Sequence, residues 1–63
     1  MPKEIGGEIF YTIEEIEKLL AMDRATLRKL ISQNKLTAKE MDEEWLISET
    51  ALQEYLDTKA RQT

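Results

Sequence analysis

The 63-residue chain has no cysteine and no histidine, a single proline, two glycines and one tryptophan. Without cysteine there is no disulfide to brace a core near the lower size limit for independent folding, and a reducing compartment is suitable. Without cysteine and histidine, the two commonest zinc ligands and the usual general base near neutral pH are missing. Carboxylates remain, but so short a chain has no room for a closed pocket around a catalytic pair. The composition therefore predicts no enzyme, no metal and no cofactor. No apolar run approaches the length of a membrane span, and Met1-Pro2-Lys3-Glu4-Ile5-Gly6-Gly7 has no apolar signal core. The expectation is one soluble, cytoplasmic module with neither a membrane nor a small-molecule substrate as partner.

Net charge is −4, which taken whole opposes a polyanionic partner. Its distribution is uneven. Residues 1–20 carry two lysines against five glutamates, residues 21–35 carry Arg24, Arg28, Lys29 and Lys35 against Asp23, and residues 36–50 carry Lys39 against five acids. A short basic segment thus lies between two acidic ones. Nucleic-acid contact depends on such local charge more than on the net value.

Three helix starts are marked by capping chemistry. In each, an apolar residue precedes a capping side chain and another apolar residue follows four positions after the cap: Tyr11-Thr12 with Ile16, Met22-Asp23 with Leu27, Ile47-Ser48 with Leu52. That spacing lets the cap accept from free amides while a hydrophobic staple fixes the entering chain. Glu15, three residues after Thr12, completes a capping box. Periodicity agrees: Ile13, Ile16, Leu19 and Leu20 predict a helix over 13–20. Leu27, Leu30 and Ile31 predict one over 24–33, and Ala51, Leu52, Tyr55 and Leu56 one over 49–58. Asn34 suits the left-handed residue that ends the second helix. Only Ala21, Met22 and Asp23 separate the first two helices, which forces a helix-turn-helix arrangement.

Leu36 to Ile47 is too short and too poorly capped for another helix. Met41, Trp45 and Ile47 fit the inward side of a hairpin with Asp42-Glu43 at its tip. Phe10 and Tyr11 add a short extended piece before the first helix. The expected fold is mainly α with a small β-hairpin, and Trp45 is expected to be the largest core member, so that Trp45→Ala unfolds the domain. The expected organisation is a flexible N-terminal segment (1–9), the folded domain (10–58) and a C-terminal tail (59–63).

The stretch "YTIEEIEKLLAMDRATLRKLISQNKL" (11–36) resembles the opening of excisionase-like and MerR-like winged helix-turn-helix DNA-binding domains. "ATLRKLI" (25–31) is similar to the Thr-Leu-Arg run that starts the MerR recognition helix. "WLISETALQEYL" (45–56) resembles the second wing strand and closing helix of excisionase-type domains. The resemblance implies a winged helix-turn-helix: helix-turn-helix, β-hairpin wing, closing helix. It also implies double-stranded DNA as partner, with the second helix in the major groove and a role as transcription regulator or recombination directionality factor. On that resemblance Arg24, Thr26, Arg28, Lys29 and Lys35 are the expected DNA-binding residues. Arg28 holds the place of the Thr-Leu-Arg arginine, able to read guanine with two bonds. Thr26 and the lysines position the duplex. A homodimer, tandem copies or a larger parent protein is expected, because one copy with so few cations binds weakly.

The chain departs from the family pattern in three places. Ala21 stands where the interhelical turn commonly has glycine, and Lys29 stands where MerR-type domains often have tyrosine. The wing, usually basic, reads Glu40, Asp42-Glu43 and Glu44 before Trp45-Leu46-Ile47. Those carboxylates oppose a phosphate backbone. A second expectation therefore stands beside the first: a repurposed helix-turn-helix that binds protein through the acidic hairpin 40–44.

Overall fold

A computed structural model describes residues 2–62. In chain order the elements are β1 (Lys3–Ile5), β2 (Glu8–Thr12), α1 (Ile13–Leu20), α2 (Arg24–Ser32), β3 (Lys39–Met41), β4 (Glu44–Ser48) and α3 (Glu49–Arg61). The three caps form as the sequence predicts. The Thr12 hydroxyl accepts from the Glu15 amide at 3.2 Å, while the Glu15 carboxylate accepts from the Thr12 amide at 2.9 Å. Asp23 accepts from the Thr26 amide at 2.9 Å and Ser48 from the Ala51 amide at 3.1 Å. Each bond satisfies an amide that the helix itself cannot. α2 ends at Ser32, one residue earlier than expected, and α3 runs three residues past Thr58 to Arg61.

The helix ends differ in kind. Asn34, at φ 60°, closes α2 with the Lys35 amide donating to Leu30 O at 2.9 Å and the Asn34 amide to Ile31 O at 3.1 Å, a Schellman arrangement. α1 ends at Ala21 in the same left-handed region (φ 55°, ψ 45°), where the amides of Ala21 and Met22 both donate to Glu17 O. Ala21 therefore adopts the backbone that a glycine would adopt without strain.

The strands form one antiparallel sheet in the order β1-β2-β4-β3. No strand was expected over residues 3–9. There Gly6 and Gly7, at φ 59° and 83°, make the two-residue turn of a first hairpin, with Ile5 opposite Glu8. Two successive residues at positive φ match the twist of the flanking strands, so the Gly6-Gly7 pair is the sequence signal for this hairpin. The second hairpin has the expected tip: Met41 faces Glu44 across Asp42 and Glu43, at φ 53° and 63°. The wing makes without glycine the turn that the first hairpin makes with two.

All three helices supply the core on one face of the sheet, through Ile16, Leu27, Leu52 and Tyr55 together with Leu36 and Ile47. Tyr11, directly opposite Ile47, packs against the same cluster. Phe10 and Leu46 alternate to the other face and are also buried, as diagonal neighbours.

Three expectations about the core are corrected here. Trp45 is not the core anchor; it is 43% exposed, and the fully buried wing residues are Ile47 and, on the reverse face, Leu46. The cause is the length of β2. Its last pair is Thr12 with Leu46, after which the chain turns into α1, so β4 has no β2 neighbour beside Trp45. Met41, paired with Glu44, shares the Leu46 face rather than that of Trp45 and Ile47. Leu19, counted in the α1 stripe, is also exposed, at 58%. Ile13 and Leu20 pack at the core margin around buried Ile16.

Candidate nucleic-acid interface

α2 owes its position to the three-residue turn and to Leu27, whose complete burial fixes the rotation of the helix. Leu30 and Ile31 extend the inward face, which leaves Arg24, Ala25, Thr26, Arg28, Lys29 and Ser32 exposed. The five residues expected to contact DNA thus all reach solvent, on α2 or just beyond it, but their surroundings differ.

Arg24 is held by α1. Its Nη2 lies 3.3 Å from Glu17 Oε2 and 4.0 Å from Glu14 Oε1. Thr26 serves the cap: bonds from its hydroxyl and then from its amide hold the Asp23 carboxyl below the ordinary aspartate range. Arg28 and Lys29 have no carboxylate within ion-pair range among the described residues, and Lys35, past the left-handed Asn34, has none either.

Two clefts flank α2. The first, about 700 Å³, lies between α2, the start of α1 and the wing; Arg24, Arg28, Glu43, Glu44 and Trp45 line it. The second, about 390 Å³, lies between the exit of α2 and α3, with Lys35 and Lys59 on its walls. In the sequence Arg28 reads as surface and Trp45 as core, whereas the fold places them in one cleft. Lys59, absent from the expected site, stacks over the Tyr55 ring at 5.9 Å from its centroid. The signal for Lys59 was present: it lies four residues after core Tyr55, one helical turn on.

The wing acids are at the surface, apart from half-buried Glu44. The Lys3 Nζ of β1 lies 3.2 Å from Glu44 Oε2, so the first hairpin neutralises part of the second. Among the described residues no cluster of acids could hold a metal ion, and no helix is long and apolar enough to cross a membrane.

No curated protein and no solved structure shows a significant match to the chain. One family model does, described as a helix-turn-helix domain, and it matches residues 10–60. That span runs from buried Phe10 through the capped helix pair, the wing and nearly all of α3. With three helices, an antiparallel hairpin and this match, the chain is a winged helix-turn-helix and belongs to the helix-turn-helix domain family.

Proposed function

We propose that the domain binds double-stranded DNA with α2 in the major groove, as a small transcription regulator or an excisionase-type recombination directionality factor. The observation that carries this reading is the state of Arg28 and Lys29. Both are exposed on the second helix of a helix-turn-helix unit, and neither is engaged by a carboxylate among the described residues. Arg28 is the residue suited to guanine, with Lys29 and Lys35 on phosphates. Arg24 and Thr26 take part only by releasing Glu17 and Asp23. Four cations oppose one duplex from a chain of net charge −4, so a single copy binds weakly, and a dimer, tandem copies or a larger parent protein raises the affinity.

The test is an amide-shift titration with a random-sequence duplex at low and moderate salt. The expected result is shifts over residues 24–35 that fade as salt rises. No shifts at low salt would sink the reading. Arg28→Glu with Lys29→Glu should abolish binding and leave the fold intact.

The exposed acids Glu40, Asp42 and Glu43 favour a second reading, a protein-interaction module that presents the hairpin 40–44 to a basic partner. Its mark would be shifts confined to the wing on adding an arginine-rich peptide, with none on adding DNA.

A further inference from the structure

We infer that Trp45 is the wing's contact with DNA, packing its indole against the deoxyribose backbone that flanks the groove entered by α2. This rests on the DNA-binding reading above and adds to it a residue that makes the contact without charge. Three observations lead to it.

The first is placement. Trp45 shares its sheet face with core Ile47, yet it lies beyond the last residue of β2 and is 43% exposed. An indole left this open on a small domain, where buried apolar area is scarce, is a large amphipathic surface available to a partner.

The second is company. Trp45 lines the same cleft as Arg28, a cation of α2 with no ion-pair partner among the described residues. A duplex whose major groove receives α2 brings a backbone strand alongside that helix, towards the wall that Trp45 forms.

The third is charge. Arg24 in this cleft is paired with Glu14 and Glu17, and Glu44 is paired with Lys3. Counted with these partners, the cleft sets three cations (Lys3, Arg24 and Arg28) against four carboxylates (Glu14, Glu17, Glu43 and Glu44). With no positive excess, Coulomb attraction to a phosphate backbone contributes nothing, and a contact must come from apolar packing. The sugar faces of a DNA strand offer that surface and the indole matches it. The acidic tip at Asp42-Glu43 stays off phosphate, while the strand behind it makes contact.

Because the chain has one tryptophan, its emission reports on this site alone. The experiment follows Trp45 fluorescence of the wild-type chain during titration with a short random-sequence duplex, in parallel with amide shifts. The expected result is a change in Trp45 emission with the same midpoint as the shifts of residues 24–35. Trp45→Ala should weaken binding about tenfold, the scale of one aromatic contact, with the slope of log affinity against log salt unchanged because no ion is lost. Trp45→Phe, which keeps a flat apolar ring, should recover most of the loss. If the alanine variant fails to fold, the wild-type emission and the phenylalanine variant still decide. Unchanged emission at saturation, with residues 24–35 shifting, would overturn the inference and leave DNA binding standing. Emission that responds to an arginine-rich peptide and not to DNA would assign the cleft to a protein partner and overturn it. No response of either region to DNA would remove the DNA reading and this inference together.

Discussion

Arg24 and Glu17 are joined across the interhelical turn, guanidinium to carboxylate at 3.3 Å, so the first cation of α2 is already occupied. The pair is partly exposed, and such pairs contribute about 0–1 kcal/mol. Glu17→Gln should therefore lower stability by less than about 1 kcal/mol. On the proposed DNA-binding reading, the same change leaves Arg24 only the longer contact to Glu14 at 4.0 Å and should tighten DNA binding a few-fold at low salt, with a steeper salt slope. Thermal melts and binding isotherms at two salt concentrations check both halves.

Ala21 pays for its left-handed backbone. An L-residue there costs about 1–2 kcal/mol, offset by about 0.5–1 kcal/mol of chain entropy that glycine would lose on folding. Ala21→Gly should thus stabilise the domain by about 0.5–1 kcal/mol, a rise of a few degrees in Tm for a chain this size. A β-branched residue at the same site should destabilise.

The wing turn invites the same test. Asp42 and Glu43 both have positive φ, a conformation best suited to Asn-Gly. The double change Asp42→Asn, Glu43→Gly should stabilise the hairpin by about 1 kcal/mol. Slower amide exchange across Glu40 and Trp45, measured against the wild type, is the readout.

Asp23 predicts a pH dependence. Hydrogen bonds from Thr26 lower its folded-state pKa, so the charged cap stabilises α2 at neutral pH. Its contribution is complete above the ordinary aspartate range and is lost as pH falls through the lower, folded-state value. Asn caps a helix about as well as Asp but does not titrate. Melts from neutral pH down to the acid range should show Asp23→Asn losing less stability than the wild type; parallel curves would contradict this.

Ile47 and Trp45 should exchange their expected roles in mutagenesis. Ile47 is fully buried between sheet and helices, so Ile47→Ala should cost about 2–5 kcal/mol and leave the domain largely unfolded. Trp45→Ala removes a ring already partly in water and should cost less, about 1–2 kcal/mol. Far-UV circular dichroism with urea titration separates the two.

Much of the fold could be read from the residues because capping and periodicity are local. Thr12, Asp23 and Ser48 mark their helices independently of anything distant, and Asn34 announces the end of α2. The rotation of α2 also followed from sequence, through Leu27, Leu30 and Ile31. The errors concern what ends where. Trp45 has the parity of a core residue, and only the early departure of β2 into α1 leaves it exposed; that is a matter of pairing between segments more than thirty residues apart. The ion pairs that occupy Arg24 and neutralise Glu44 likewise link α1 to α2 and β1 to β4. The candidate cations were legible as types, but which of them remain unpaired depends on the assembled fold.

The sheet order has a consequence for assembly. Its two outer strands, β1 and β3, are three residues each, and both begin Lys-Glu. A strand so short and charged gives a neighbouring chain little backbone to pair with. Growth of the sheet from copy to copy is thereby discouraged at both rims. Copies placed side by side along a duplex would have to meet through helices, through the wing, or only through the DNA between them.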